Sequence, residues 1–331
     1  MARPSLRYEA GQTVYPFETL TNTGDNMIFQ ATFLPWSNAV GFEPVVGPFG
    51  LLTGAGITPT ATENQVSVAA LTAMMPGIGS ADSETGVLSI NSASPVLASR
   101  GDAGDPYKIT SIIVNGSGVV ESLPGDKGSA FSEVRGDPGA PPEIPVDAIE
   151  IGQVRLSSHT AAYVMPGEIY TVPGIHREMS AFPVFIIDYG RGQVHFSEAL
   201  PAIHTGGTTK RVSARGATPL FSPIPKAYDW VPAESTYSIT STDTYDGPIG
   251  SASSSLGQAT FSVMLEDGIT DAFLAQKGKS VWVEFRPDRD RVVPRQLTQG
   301  VLGVSRTNPA SGSPTASCTV TPSVESMDIR D

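Results

Sequence analysis

GQATFSVMLEDGITDAFLAQKGKSVWVEFRPDRD, Gly257–Asp290, sets the grammar of the whole chain. Ala259, Phe261, Val263 and Leu265 alternate with Thr260, Ser262 and Met264, which is the period of a strand with one buried face. Asp267-Gly268 breaks that run. Thr270 then stands where it can cap a short helix carrying Phe273 and Leu274, and Gly278 ends the helix where left-handed geometry is needed. Val281, Val283 and Phe285 resume the alternation against Trp282 and Glu284, until Arg286-Pro287-Asp288 closes it. Gln296–Arg306 and Ala316–Thr321 repeat the pattern on either side of the turn Thr307–Pro314. The expectation is a strand, one short helix and three antiparallel strands, with Gln296–Thr321 supplying central strands.

The same period recurs upstream. Met27, Phe29, Ala31 and Phe33 read as a strand ended by Leu34-Pro35, and Val66, Val68 and Ala70 share one face of another. Tyr107–Val114, Asn115-Gly116-Ser117-Gly118 and Val119-Val120 form a hairpin pattern in which Asn-Gly supplies the positive φ angles of a tight turn. Ile149–Leu156 and Pro183–Asp188 are further strands, and Pro166-Gly167 keeps any helix in Thr160–Tyr170 short. Gly41–Thr60, punctuated by Gly and Pro, reads as a long irregular connection, and the proline-dense Arg135–Pro145 as a linker. No repeat of ~20–50 residues is visible, which argues against a solenoid or propeller.

Composition agrees. Only 16% of the 331 residues are charged, against a usual ~25%, while Gly (34) and Pro (28) are plentiful. Few charges with many small polar and turn residues favour strands over surface-rich helices. The net charge is −12, with −9 in residues 1–165 and −3 in 166–331. A protein that grips a nucleic-acid backbone needs a basic surplus, and an anionic membrane repels an acidic surface. DNA could pass such a protein without sticking to it. No run approaches the ~18 apolar residues of a membrane span, and MARPSLRYEAGQ lacks the apolar core of a signal peptide.

Chemistry is hard to find. His159, His176, His195 and His204 match no compact zinc spacing, and Cys318, alternating with Ala316 and Val320, reads as a small buried strand residue. Nucleophile elbows, phosphate loops and dinucleotide fingerprints are missing from the sequence. Glu266-Asp267 fits a turn better than an acid–base pair. Arg-Gly-Asp occurs at Arg100–Asp102 and Arg135–Asp137, both in turn-prone sequence where Gly-Asp is common for conformational reasons. Arg286, Arg289, Arg291 and Arg295 are interleaved with Glu284, Asp288 and Asp290, so ion pairing within or between subunits is expected before DNA contact. No catalytic, cofactor-binding or metal residue is nominated, and no cofactor is expected.

Gly257–Asp290, followed by GVLGVSRTNPASGSPTASCTVTPS at Gly300–Ser323, resembles the tail-tube (major tail) proteins of long, non-contractile-tailed bacteriophages. The resemblance rests on order and spacing over roughly residues 180–331: strand, acidic-Gly turn, short helix, Gly-Lys exit, a strand ending near Arg-Pro-Asp, and a closing hairpin with Gly300, Ser305, Arg306 and Pro309. It implies a mainly β fold, a tail-tube-like β-sandwich or barrel with one short helix plus a smaller β module. The corresponding division is N-terminal strands and arm over 1–60, the module over 61–160 and the tube-like domain over 161–331. It further implies a non-enzymatic virion protein whose rings of six copies stack into a tube around passing double-stranded DNA, without specific binding. Implied partners are further copies of itself and the tail terminator, tape measure and distal tail proteins, after assembly in the bacterial host cytoplasm. Phe261, Val263, Phe273, Leu274, Trp282, Phe285, Arg286 and Arg306 are the assembly candidates. The competing class is a β-sandwich decoration or adhesin-type module, followed by a depolymerase-like enzyme.

Overall fold

The computed structural model describes residues 3–39, 42–180, 183–200, 210–244 and 247–330. The chain is mainly β, 47% strand and 3% helical. Its largest sheet runs Ala217–Pro223, Ser5–Val14, Ser280–Arg286, Arg295–Thr307, Thr315–Pro322, Ala259–Met264, Ala227–Val231, and Met327–Ile329 pairs with the start of Arg295–Thr307. Every pairing in it is antiparallel. Arg295–Thr307 and Thr315–Pro322 are interior strands, as the alternation through Gln296–Thr321 predicts. The sheet takes one strand from the N-terminus and resumes only at residue 217, so the intervening chain folds into other, smaller sheets.

Alternation decides what lies on each face. Val281, Val283, Leu302, Val304, Ala316, Cys318, Val320, Ala259, Phe261 and Val263 pack with Leu6, Tyr8 and Phe273 into one core. Cys318 is a buried member of that core, and burial pushes its thiol up to about 12, which makes it inert as a nucleophile. A second core gathers Phe49, Leu51, Val66, Val68, Leu71, Ile112, Ile149, Ile151, Val154 and Val164. It therefore draws on residues from before 61 and after 160. A third gathers Phe29, Trp36, Val194 and Phe196, and it meets the large sheet where the Trp282 indole reaches the Trp36 carbonyl.

Local chemistry revises several expectations. The short helix is a single 3-10 segment, Ala272–Gln276, preceded by Asp271 rather than capped by Thr270. Asp267 explains why: its carboxylate accepts the N–H groups of Ile269 and Thr270, both at 2.7 Å, and also the Thr270 hydroxyl. Thr270 is thus held by the turn, and these bonds keep the exposed Asp267 carboxyl down at about 2. Gly278, at φ +79°, ends the segment as expected.

Gly41–Thr60 is not irregular. It contains Val45–Pro48, Gly50–Gly54 and Ile57–Pro59, which join three separate sheets. Its glycines mark close backbone approach rather than loop: a Cβ at Gly50 would collide with the backbone of Met179 and Ser180. Arg135–Pro145 is not a linker either. Gly139–Pro142 and Ile144 are buried, and the segment packs as a cover on the sheet that contains Lys108–Val114 and Ile149–Leu156. The hairpin after Val114 forms, but its positive φ belongs to Gly118. Asn115 contributes its side chain instead, accepting the N–H groups of Ser117 and Val119 at 2.9 and 3.0 Å. The strand expected over Met27–Phe33 is only Ile28–Gln30, and Ala70 is exposed while Val66 and Val68 are buried.

Glu9 sits in Ser5–Val14 at a register shift. It is buried, accepts the Trp282 N–H at 3.1 Å and contacts the Ser37 hydroxyl, which is 3.1 Å from Gln12 Oε1. Among the described residues it has no ion-pair partner. Burial raises its pKa above the ordinary carboxyl range, against the lowering effect of those two hydrogen bonds. A folded-state pKa above the unfolded one means the native state holds the proton more tightly, so stability is lost as pH rises through the folded value. Glu9→Gln should remove that loss, because the amide nitrogen can donate to Ser37 while the amide oxygen keeps the Trp282 N–H. Urea unfolding across mildly acidic to mildly alkaline pH should show the variant gaining on the wild type as pH rises. A constant difference between the two curves would contradict the assignment.

Candidate assembly surfaces

The eight residues singled out from the sequence do not form one surface. Phe261, Val263, Phe273 and Trp282 are buried in the subunit's own interior, and Leu274 and Phe285 are half-buried against its core. Trp282 faces the opposite side of the sheet from Phe285 and donates its indole N–H to the Trp36 carbonyl at 2.8 Å. Arg306 is exposed and reaches the Gly268 carbonyl, tying the long strand to the acidic turn.

Arg286 belongs to a buried charge cluster. The Glu284 side chain is 0% exposed and receives Arg7 at 3.1 Å, Arg286 at 3.1 Å and Arg295 at 3.0 Å. The arginine run is therefore used for intra-sheet ion pairing at two of its members, while Arg291 meets Asp288 at 3.7 Å. Removing the central carboxylate would leave three partly buried guanidiniums facing one another. Glu284→Ala should cost about 3 kcal/mol in urea unfolding, the lower end for breaking a buried pair because the arginines keep some solvent. A cost near zero would show that solvent screens the cluster.

Both Arg-Gly-Asp arginines point inward. Arg100 bonds Asn64 Oδ1 at 2.8 Å and the Ala162 carbonyl at 3.1 Å, and Arg135 bonds the Pro142 carbonyl and Glu150. Neither tripeptide can present its guanidinium to a receptor without local unfolding. His176 is buried 3.3 Å from Arg155, and burial together with that arginine lowers its pKa. His195 bonds Gln193 at 3.0 Å, His159 is exposed, and His204 lies outside the described residues. Among the described residues no group of three His, Cys, Asp or Glu side chains could hold a metal, and no helix is long and apolar enough to cross a membrane.

What is exposed lies elsewhere. Ser235–Thr244 and Gly247–Leu256 are ten-residue strands that pair, among the described residues, only with each other. Residues 236–241 and 250–256 are exposed on both faces, with Tyr237 at 78% and Ile239 at 82%. A two-stranded ribbon is at best marginally stable in water, so bare aromatic and branched side chains along it are out of place on an isolated subunit. Serine and threonine dominate the remainder, and hydroxyl pairs such as Ser238–Ser253 at 2.7 Å link the strands. The sequence signal was present in YSIT and the paired serines, but an even hydroxyl run carries no periodicity to show that the ribbon leaves the sheet.

At the ribbon's base opens a groove of about 1100 Å³, lined in part by Ile186, Tyr189, His195, Leu256, Glu325 and Met327. One wall belongs to Phe185–Asp188, the edge strand of its sheet, where Ile186 is exposed. The large sheet also ends in two edge strands, Ala217–Pro223 with exposed Leu220 and Ala227–Val231 with exposed Tyr228 and Val231. Open edges with apolar side chains are templates for pairing with another chain.

The face of the large sheet opposite its core divides in two. Near Ser5–Val14 it is covered by Trp36, Ser37 and Asn38 through Trp282, Glu9 and Gln299. Beyond that, register places Thr260, Ser262 and Met264 beside Thr319, Ser317 and Thr315, and those beside Gly303, Ser305 and Thr307. None of these residues is charged and most carry a hydroxyl, and Tyr228 lies beside Ser262 at the edge of the patch. The sequence matches no protein-family model and no curated protein sequence.

Proposed function

We propose that the chain is a structural virion protein that polymerises through stacked hexameric rings into the tail tube of a long, non-contractile-tailed bacteriophage. The tube is the conduit through which double-stranded DNA is ejected. The observation that carries this reading is the free-standing ribbon Ser235–Thr244/Gly247–Leu256, whose apolar side chains need a partner that the subunit does not supply. Ring closure through sheet edges and stacking through a projecting ribbon are heterologous contacts, which suit a closed ring repeated along an axis. The uncharged hydroxyl patch on the large sheet suits a lumen, because DNA phosphates meet no Lys or Arg that would trap them. The tail terminator, tape measure and distal tail proteins are the partners this function requires.

Negative-stain microscopy of the purified full chain tests the reading. Rings or tubes on the order of 10 nm wide are expected from several ~100–200-residue units packed around a channel. Dispersed monomers at high concentration would overturn it and favour a decoration or adhesin module.

A further inference from the structure

The cover Arg135–Pro145 closes over ionisable groups that none of the surfaces above uses. Glu178 Oε2 lies 3.3 Å from Lys210 Nζ, with side chains only 9% and 5% exposed. Lys210 Nζ is held in place by the carbonyls of Pro145 at 3.1 Å and Ala148 at 2.6 Å. Glu150 meets the same junction. Its backbone N–H donates to Glu178 Oε2 at 2.6 Å, and its fully buried carboxylate contacts Ser111, Gln153 and Arg135.

We propose that Lys210 and Glu178 form an intramolecular amide cross-link, with Glu150 moving the protons. The step balances without an outside reagent. The Lys210 ammonium passes one proton to the Glu178 carboxylate, which leaves a neutral amine beside a carboxylic acid. The Nζ lone pair attacks Glu178 Cδ and forms the C–N bond. Glu150 takes a proton from Nζ and delivers it to the Glu178 hydroxyl. The C–O bond then breaks and water leaves, with Glu150 as it began.

Three features of the site favour this outcome over a plain ion pair. The two groups are already held together, with Nζ 3.3 Å from Oε2 of the carboxyl group it would attack, so no search is needed to bring them into contact. Burial lowers the Lys210 pKa and raises those of Glu178 and Glu150, which shifts the pair toward the neutral forms that react. Exclusion of water slows the reverse hydrolysis. The bond would fasten residue 178, whose carbonyl accepts the Leu51 N–H at 2.7 Å, to Lys210, two residues before the strand Val212–Arg215.

Mass spectrometry of the denatured full chain is the test. The expected mass is one water below that of the sequence, and trypsin should release a branched peptide joining residues 178–191 to 192–211. Lys210→Arg and Glu150→Gln should each restore the full sequence mass in protein that still elutes as folded. A wild-type chain at full mass, with peptides 178–191 and 192–210 recovered separately, would overturn the proposal and leave an ion pair. Loss of water mapped to Asp267-Gly268 instead would overturn it equally.

Discussion

Replacing residues 235–256 by a two-glycine turn should leave a folded subunit that forms no rings or tubes. The ends are already together, because the Gly257 N–H donates to the Glu234 carbonyl at 3.0 Å. The ribbon contributes nothing to the three main cores, whose members lie outside 235–256. Among the described residues, the hydrogen bond to the body that its removal sacrifices is that of the Ser235 N–H to Glu325 at 2.9 Å. Urea unfolding should therefore shift by no more than about 1 kcal/mol, the scale of one net hydrogen bond. Sedimentation velocity should change from large assemblies to monomers. Tyr237→Ser with Ile239→Ser should weaken assembly in the same direction, because both side chains are bare in the subunit. Tubes of normal length from the deletion would separate the ribbon from assembly and remove the main support for the proposed function.

The distribution of charge bears on passage of DNA through such an assembly. The C-terminal half carries most of the bases, yet several are turned toward their own subunit. Arg286 and Arg295 meet Glu284, and Arg306 meets the Gly268 carbonyl. The more acidic N-terminal half contains most of the inserted module, where Arg135 and Arg155 are likewise engaged with Glu150 and Glu133, and Lys210 of the C-terminal half meets Glu178. What remains on the open face of Ala259–Met264, Thr315–Pro322 and the second half of Arg295–Thr307 is hydroxyl-rich and uncharged, with Tyr228 beside Ser262 at its edge. The −12 of the sequence is therefore not a property of that face. On the proposed reading, neutrality there, rather than repulsion by a lining of carboxylates, keeps phosphates moving.

Strands with one buried face were legible because their side chains alternate: Ala259–Met264, Ser280–Arg286, Arg295–Thr307 and Thr315–Pro322 follow the pattern within a residue or two. The antiparallel pairing of the last three was legible as well, since short turns force neighbours to pair, but the strand order was not: Ala259–Met264 lies beyond Thr315–Pro322 rather than beside Ser280–Arg286. Three further things were not. Gly50 and Gly139 read as loop because a glycine needed for close packing looks the same as one needed for a turn. The prolines of 135–145 interrupt ladders but pack well as a cover. The assembly candidates failed to mark a surface for a related reason: large apolar residues at regular spacing announce a core, and Phe261, Val263 and Phe273 are in one. Tyr237 and Ile239, isolated among hydroxyls, carried no such signal.

Two deletions distinguish a module over 61–160, as the sequence suggests, from one whose core runs from residue 49 to 164. Removing Asn64–Ile144 with a short linker should abolish soluble protein. The cut takes away Lys108–Val114, the central partner of Ile149–Leu156, together with the strands that cover Phe49 and Leu51. Phe49, Leu51, Ile149, Ile151, Val154, Leu156 and Val164 would lose their cover. At about 2 kcal/mol for each large apolar side chain, the loss reaches the ~5–15 kcal/mol that holds an ordinary fold together. Glu150 would also lose Ser111 and Arg135, leaving a buried carboxylate without its donors. Excising 51–179 and joining Gly50 to Ser180 should succeed, because those two backbones already touch and the second core leaves almost whole. Lys210, released from Pro145, Ala148 and Glu178, would then face water rather than a broken network. Soluble expression and circular dichroism compare the two. A soluble, β-rich product from the first deletion together with aggregation of the second would show that the module's core does not run from residue 49 to 164.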